Sequence, residues 1–186
     1  MISKKQWMVI ALFLAIILLV LFLIFPKKKE ISNPVYYSSD CVTSTQQMTV
    51  QGYSMSPYLK PDDVVTALFG YYDCHAIERG DVVLYDYSGD RNLLIKFVKA
   101  VPGDSWSLKE ESGSYEIIVN GIPLVNSEGK PYLIGSYKML ELYAKSYPII
   151  PGDTYLILGD NTDGSLDSTH FGLVDGGDIK AKISTD

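Results

Sequence analysis

The sequence predicts a mostly β domain, built as a folded sheet or a barrel, behind a single N-terminal transmembrane helix. Three observations support this fold class. One long uncharged apolar run lies near the N-terminus, the rest of the chain consists of short apolar segments separated by Gly, Pro and Asp, and only one short segment has helical spacing. A chain of 186 residues supports one domain of ordinary size and leaves little for a second.

The apolar run from Trp7 to Phe25 contains 19 residues and no charge. At about 1.5 Å per residue it is just long enough for the roughly 30 Å hydrocarbon core of a membrane. A cleaved signal peptide is the alternative, but it expects an apolar run of about 7–15 residues and a small-x-small cleavage site. Because this run is longer and ends at Pro26 and residues 27–29, three lysines, an uncleaved anchor is favoured.

The predicted organisation is therefore an N-terminal tail (1–5), a transmembrane helix (6–25), a polar juxtamembrane linker (26–48) and a β-rich domain (49–186). Lysines stand on both sides of the span, at 4–5 and at 27–29. The positive-inside rule is nearly balanced, and by lysine count alone it leans towards a cytoplasmic body.

Charge and composition exclude two classes of protein. Five of the 16 basic residues and one of the 22 acidic residues lie in 1–30, which leaves the rest of the chain with 11 basic and 21 acidic residues. Such an acidic body lacks the basic face that nucleic-acid binding needs. The 14 Tyr, 6 Phe and 2 Trp are enough for a core, so a disordered chain is also excluded.

The two cysteines, Cys41 and Cys74, are too few and too far apart for a zinc site. No cluster of His, Cys and carboxylates has the spacing of metal ligands, and neither a metal nor an organic cofactor is predicted. The cysteines leave two alternatives of similar weight. They form one disulfide in an extracytoplasmic body, which would stabilise it by roughly 3–4 kcal/mol, or they remain two buried thiols.

The β-rich domain is predicted from its apolar segments in chain order. Asn120-Gly121 supplies the two residues with positive φ that a type I′ hairpin turn requires. The predicted strands are 64–69, 82–85, 93–101, 115–119, 122–125 and 155–158, and the predicted helix is Tyr137–Ser146, where Tyr137, Leu140, Tyr143 and Ala144 share one face.

Lys96 stands out because it interrupts the apolar run 93–101. A lysine in such a run usually extends its ammonium to water. If the ammonium is buried instead, its pKa falls by several units, and a neutral amine can accept a proton from a serine hydroxyl. The polar segments 52–57 and 159–168 each have an ordinary explanation as turns when taken singly.

Taken together and in this order, four segments resemble the boxes of the type I signal peptidases, the membrane-bound serine proteases with a Ser/Lys dyad. The resemblance extends over about 49–172. The four segments are Ser54-Met55-Ser56-Pro57, Arg79-Gly80-Asp81-Val82-Val83, Lys96 followed by Pro102-Gly103-Asp104, and Gly159-Asp160-Asn161 followed by Ser165-Leu166-Asp167-Ser168.

The resemblance implies a role for each matching residue. Ser54 would be the nucleophile, Lys96 the general base, and Ser165 would hydrogen-bond and orient the lysine amine. The Ser54 N–H would be one oxyanion donor. Some members add a side-chain hydroxyl two residues before the nucleophile, where this chain has Gly52. Four further residues would shape the site: Met55, Asp160, Asn161 and Asp167, together with Gly159 of the same box.

The chain departs from the family pattern at four positions near these boxes. A basic residue usually follows the base lysine, where this chain has Phe97, and Thr usually stands where this chain has Tyr58. Arginines are common where this chain has Thr162 and Thr169. Loss of the second arginine predicts that Asp167 finds another donor, such as Thr169 or a backbone N–H.

The family's substrates are the signal peptides of translocated preproteins, which bind in extended form along a strand edge and place small residues in two shallow apolar subsites. The resemblance therefore implies a single-pass protein of the cytoplasmic membrane with its body outside, against the weak lean of the lysine count. Its partners would be preproteins and membrane lipid, with the secretion translocase a further candidate.

Two alternatives are weighed against this function. A signal-peptidase-like scaffold that assists assembly of surface proteins would be expected to lose its nucleophile or base first, and both are present. A self-cleaving repressor-type Ser/Lys protease would carry a DNA-binding module at its N-terminus, where this chain has an apolar span.

Overall fold

The structure, a computed structural model, describes residues 41–88, 92–135 and 138–185. The predicted tail, the predicted transmembrane helix and the linker up to residue 40 lie outside the described residues. Among the residues described, no helix is both long and apolar enough to cross a membrane.

The described chain is built mainly from antiparallel strands, with two short α-helices. The strands are β1 (Ser44–Thr49), β2 (Val64–Phe69), β3 (Val82–Tyr87), β4 (Asn92–Ala100), β5 (Trp106–Glu111), β6 (Ser114–Val119), β7 (Ile122–Pro123), β8 (Leu133–Ile134), β9 (Thr154–Leu158), β10 (Val174–Asp175) and β11 (Ile179–Ser184); the helices are α1 (Lys138–Ser146) and α2 (Ser168–Phe171). Short 3-10 turns cover Tyr71–Asp73 and Gly176–Asp178. The predicted fold class, mostly β, is confirmed at this level.

The strands form two sheets. The larger sheet has seven strands in the order β1-β2-β11-β3-β4-β9-β10. The smaller sheet has the order β5-β6-β7, and β8 also pairs with β6, at Tyr115 and Glu116. All the pairings are antiparallel. Strand β4 lies inside the larger sheet, and its second half is the buried part, with Lys96, Phe97, Val98 and Ala100 all buried.

Three groups of buried side chains hold the sheets together. The first joins the larger sheet to the loop between β1 and β2 through Met55, Leu59 and Phe97. The second covers Val83, Val98 and Ile157 on the same sheet. The third joins the smaller sheet and α1 to Ala100, Leu156 and Leu158. The smaller sheet therefore packs against the end of β4 and against β9.

Most of the predicted elements are confirmed. The bounds of β2 match the prediction, and β3, β4 and β9 differ by one or two residues at an end. The hairpin turn is confirmed, since Asn120 has φ 50° and Gly121 has φ 79°. The predicted helix forms from Lys138 to Ser146.

Two predictions about element bounds were wrong. Residues 44–48 of the predicted linker form strand β1, which is an edge strand with its side chains mostly exposed, so its sequence is polar. The strand after Asn120-Gly121 ends at Pro123 rather than at Val125. Strands β5, β8, β10 and β11 were not predicted.

The two cysteines form a disulfide between Cys41 and Cys74, with Cα atoms 6.0 Å apart. The bond ties the chain just before β1 to the turn that follows β2. His75 lies beside the two sulfur atoms, but its ring stacks on Tyr71 at a centroid distance of 4.2 Å. The structure therefore favours the disulfide over two thiols.

Candidate active site

Ser54 lies in the loop between β1 and β2, and the loop is closed by backbone hydrogen bonds at its base. Val50 N–H donates to Asp63 O at 2.8 Å, and Asp62 N–H donates to Val50 O at 3.0 Å. Met55 and Leu59 are 1% and 5% exposed and anchor the loop in the core. Burial of the residue next to Ser54 therefore determines where the hydroxyl lies.

Gly52 and the Ser54 backbone are arranged as an open face of this loop. Gly52 has φ 73°, and no atom lies within 4 Å of the position that a Cβ would occupy. In the part of the chain that the structure describes, the Ser54 N–H donates to no acceptor. That donor is available for a group that enters from outside.

Lys96 lies in the middle of β4, opposite Val83 of β3, and it is only 1% exposed. Its Nζ donates to Ser54 Oγ at 2.9 Å and to Ile95 O at 2.8 Å. Both acceptors are uncharged oxygens. The amine is thus hydrogen-bonded but has no carboxylate within ion-pair distance among the described residues.

Burial lowers the pKa of Lys96 from 10.5 to about 8, and the negative charge of Asp167 opposes this shift. Desolvation dominates because the charged ammonium loses water, whereas neutral oxygens replace only part of its hydration. A pKa near 8 leaves a sizeable neutral fraction near neutral pH. The lysine is therefore able to act as a base at the serine hydroxyl.

The backbone after β9 contacts the serine loop directly. Asn161 N–H donates to Ser54 O at 3.1 Å. A Cβ on Gly159 would overlap the Ser54 carbonyl oxygen and the Ser165 side chain, so only glycine fits at this approach. Tyr132 OH also donates to Gly159 O at 2.8 Å.

Asp160 has no exposed surface, and its carboxylate links three parts of the chain. It accepts from Tyr58 N at 3.1 Å in the serine loop. It also accepts from Ser127 N at 2.8 Å and from Ser127 Oγ at 2.5 Å, and its backbone oxygen accepts from Asn126 Nδ2 at 3.1 Å. The smaller sheet's loop therefore holds the Gly-Asp-Asn segment in place.

Asp167, which is 3% exposed, finds the donors that were predicted for it. Thr169 donates to Oδ1 through its N–H at 3.0 Å and its hydroxyl at 2.7 Å, and Gly159 N–H donates to Oδ2 at 2.9 Å. The neighbouring Ser168 hydroxyl, which is also buried, accepts from Ile157 N at 3.0 Å. These contacts tie the second half of the segment to β9.

The hydrogen bond predicted from Ser165 to Lys96 is absent. The Ser165 Oγ is buried next to Gly159 but has no hydrogen-bond partner in the described chain, and the Lys96 amine is directed to Ser54 Oγ and Ile95 O instead. The hydroxyl of Thr162 is buried without a partner in the same way. Ser165 is close to the site, but its predicted contact is not formed.

Two of the departures from the family pattern lie in contact with each other. The rings of Tyr58 and Phe97 are 4.8 Å apart, and the ammonium of Lys99 lies 4.7 Å from the Phe97 centroid and 5.2 Å from that of Tyr132. Aromatic faces attract a cation at these distances. The basic group therefore stands two residues further along the same face of β4 than the usual position.

The Arg79-Gly80-Asp81 segment and Asp104 support β4 from its ends. Asp81 accepts from Tyr72 OH at 3.0 Å and from Lys182 Nζ at 2.6 Å, while its backbone oxygen accepts from Val98 N at 2.8 Å. Asp104 lies 3.2 Å from Arg79 Nε. Both acidic residues are structural, and they fix the strand that carries Lys96.

Sequence reasoning missed the contribution of the smaller sheet. Asn126, Ser127 and Tyr132 bind main-chain or carboxylate oxygens 27–34 residues away in the chain, and no motif marks them. The one available signal was a buried Asp160, which needs donors. Its partners could not be named without the fold.

Comparison with known proteins assigns the chain to a family. The family model "Signal peptidase, peptidase S26" matches residues 4–185. Signal peptidase IB of Staphylococcus aureus (strains COL and N315) is 33% identical over 147 residues, which cover 73% of this chain and 74% of the relative. Signal peptidase I of Bacillus caldolyticus is 26% identical over 171 residues, or 84% and 90% of the two chains.

The chain therefore belongs to the signal peptidase family, peptidase S26, whose members are proteases, and its relatives place it with the type I enzymes. Among solved structures, a signal peptidase I from Enterococcus faecalis aligns with a TM-score of 0.44 and 20% identity, over 59% of this chain and 98% of that one.

Proposed function

We propose that this protein is a serine endopeptidase that cleaves signal peptides from translocated preproteins, with Ser54 as nucleophile and Lys96 as general base. One observation carries the proposal: the buried Lys96 amine lies 2.9 Å from the Ser54 hydroxyl, within the distance needed for direct proton transfer. Membership of the signal peptidase family supports the substrate class.

The chemistry proceeds in two balanced steps. In the first, neutral Lys96 Nζ accepts the Ser54 hydroxyl proton while Oγ attacks the scissile carbonyl, and the ammonium then gives that proton to the leaving amine. In the second, Lys96 takes a proton from water, the resulting hydroxide attacks the acyl-Ser54 ester, and the proton returns to Ser54 Oγ. Lys96 ends each cycle neutral, as it began.

The Ser54 N–H supports the proposal as a donor to the oxyanion, because it has no acceptor within the described chain. One such donor contributes roughly 2.7–4 kcal/mol of transition-state stabilisation. Gly52 has no hydroxyl to add, so a second donor would come from backbone or water. Met55 packs below the loop and keeps the hydroxyl directed at Lys96.

The substrate is proposed to bind along β4. On the side of β4 away from β3, strand β9 pairs only from Phe97 onward, so residues 92–96 have no strand partner there among the described residues. An extended peptide can add to such an edge through main-chain hydrogen bonds. Leu93, which is 48% exposed, lies on this edge. The family's small-x-small preference completes the proposed specificity.

We also propose that the chain is a single-pass protein of the cytoplasmic membrane, anchored in lipid by residues 6–25. Residues 49–186 would lie on the extracytoplasmic side. There, a contact with the secretion translocase would supply preproteins. The Cys41–Cys74 disulfide supports this placement because disulfides persist in oxidising compartments. The placement is tested by adding a protease to intact cells, which should degrade residues 49–186. Complete protection of these residues, in cells whose surface proteins are degraded, would contradict it.

The activity is tested with detergent-solubilised full-length protein and a preprotein that carries a small-x-small site. Ser54→Ala and Lys96→Ala are each expected to slow cleavage by about 10³-fold or more, because each removes a group that acts in the transition state. Matched controls are Ser107→Ala and Lys60→Ala, since both side chains are exposed, and these should cleave at nearly the wild-type rate.

The proposal fails if Ser54→Ala cleaves as fast as the wild type, or if the wild type does not cleave at all while its thermal unfolding shows a folded protein.

A further inference from the structure

A second concave site lies beside the proposed catalytic pair. An open cavity of about 550 Å³ is lined by the segment Asn161–Asp167, by Thr169 and His170, and by Tyr132 with Leu133, Ile134 and Gly135. Neither Ser54 nor Lys96 lines it. Ser165 lies between the two sites, because it lines the cavity and also abuts Gly159 next to the Ser54 carbonyl.

Two hydroxyls in the cavity lining lack hydrogen-bond partners. They are Thr162 Oγ1 and Ser165 Oγ, and among the described residues they are the only buried side-chain polar atoms in this condition. Buried hydroxyls in native proteins are nearly always hydrogen-bonded, and an orphan costs about 1–3 kcal/mol. Both hydroxyls belong to residues that line one cavity, but the two oxygen atoms have almost no accessible surface, so a polar group in the cavity completes them only after their side chains rotate.

The charges around the cavity are mainly negative. Asp167 is 3% exposed and accepts three hydrogen bonds, yet within the described residues it pairs with no cation. A carboxylate can accept about four hydrogen bonds, so Asp167 has the capacity for one more. Asp163 at the rim pairs with Lys130, but both side chains are largely exposed, so this pair contributes little. His170 also lines the cavity, and its Nδ1 contacts Thr169 Oγ1 at 3.1 Å.

We propose that this cavity is a binding site for a guanidinium or primary alkylammonium group that enters from outside the chain. Such a group offers several N–H donors and no acceptor, which matches a lining with a free carboxylate lone pair and two hydroxyl acceptors. An anion would be repelled by Asp163 and Asp167. A bare divalent metal ion would want about six oxygen ligands, and only two carboxylates line the cavity.

Occupation of the cavity would also affect Lys96. The negative charge of Asp167 favours the charged form of that lysine. A bound cation next to Asp167 offsets this effect, so a larger fraction of Lys96 becomes neutral at a given pH. This consequence rests on the proposed function, whereas binding itself does not.

Binding is tested by thermal unfolding of the detergent-solubilised full chain with methylguanidinium chloride. Ligand that binds only the folded state raises Tm by mass action, so a saturable rise of about 3–5 °C is expected at roughly ten times Kd. Tetramethylammonium chloride at equal concentration is the control, because it carries the same charge and ionic strength but no N–H donor. A wild-type Tm that does not respond, or that responds equally to both salts, would overturn the site.

Variants locate the response. Thr162 and Thr169 both line the cavity, so Thr162→Arg and Thr169→Arg each supply a guanidinium from the chain itself. Because that group occupies the cavity, each variant should lose the Tm response to methylguanidinium. Two variants are used because Thr169→Arg also loses a hydrogen bond to Asp167. Thr45→Arg on exposed β1 is the matched control and should respond as the wild type does. Retained responses in both folded cavity variants would refute the assignment.

Two further measurements identify the source of the cation and its effect. If the natural cation is an arginine of a polypeptide, N-acetyl-arginine N-methylamide should raise Tm as well. A response to methylguanidinium alone assigns a small free cation. Either result supports the site. In cleavage assays, methylguanidinium should move the acid limb of the pH profile to lower pH. A Tm response in a protein that never cleaves would leave the site standing and refute the proposed function.

Discussion

Strand β4 carries two lysines three residues apart, Lys96 and Lys99, and burial lowers the pKa of both. Their surroundings differ. Lys96 meets one hydroxyl and one carbonyl, while Lys99 lies over the rings of Phe97 and Tyr132 and donates to Val125 O at 3.2 Å. The aromatic faces favour the charged form of Lys99, whereas no aromatic ring of the described residues lies over the Lys96 amine, whose charge is favoured only by Asp167.

The comparison separates burial from function. Desolvation alone makes an amine a better base, but only Lys96 also has a hydroxyl within 2.9 Å to deprotonate. Lys99 is near the fully buried Asp160, whose charge partly opposes the effect of burial. We therefore expect Lys96 to take part in proton transfer and Lys99 to hold the surrounding structure, and three measurements test that division.

The largest expected effect comes from an arginine at each position. Lys96→Arg keeps the positive charge but cannot lose its proton, so the cleavage rate should fall by about 10³-fold. Lys99→Arg should stay within about threefold of the wild type, because a guanidinium stacks on aromatic rings as well as an ammonium does. The measurement is the initial rate on one preprotein at saturating concentration. Equal losses in the two variants would remove the distinction between the lysines.

The pH dependence of cleavage should follow the deprotonation of Lys96. The neutral amine is the active form, so the rate should rise by about tenfold per pH unit on the acid side and level off above a pKa of about 8. Lys99→Met should leave this midpoint near its wild-type position, since Lys99 makes no contact with Ser54. A rate that stays level down to pH 5 would exclude a lysine base.

Much of the larger sheet could be predicted from sequence because its strands are buried. Val64–Phe69 is apolar except for Thr66, Val82–Tyr87 is apolar except for Asp86, and turn residues stand at their ends. Strand β1 could not be predicted in this way, because it is an edge strand with mostly exposed side chains and has the polar sequence Ser-Thr-Gln-Gln-Met-Thr. Strand β5 alternates weakly after Trp106 and ends in charges, so its period is hidden.

In the candidate site, too, some residues could be predicted from the sequence and others could not. Ser54 and Lys96 lie 42 residues apart, and only the order of the boxes connects them in sequence. The expectation for Asp167 was correct because a buried carboxylate must find donors. The expectation for Ser165 was wrong, because the orientation of one hydroxyl depends on which acceptors lie nearer to the Lys96 amine. Ser127 could not be found, since its contact with Asp160 joins two distant loops.

The smallest expected effect concerns the free energy of unfolding. Replacement of Lys96 is expected to raise it, although the same replacement abolishes cleavage. The pKa of Lys96 falls from 10.5 to about 8 on folding, so below pH 8 the folded protein carries the full cost of a buried charge, which corresponds to about 3 kcal/mol. Lys96→Met should therefore raise the free energy of unfolding at pH 7 by about 2–3 kcal/mol while it abolishes cleavage. Since the unfolded chain binds more protons between pH 8 and 10.5, wild-type stability rises with pH in that window and the advantage of the variant shrinks.

Lys99→Met is the matched control and should stay within about 1 kcal/mol of the wild type, because the aromatic contacts it loses offset the desolvation it removes. Denaturant unfolding at pH 7 and pH 10 measures both variants, and a Lys96→Met protein that is less stable at pH 7 would show that the site stores no such cost.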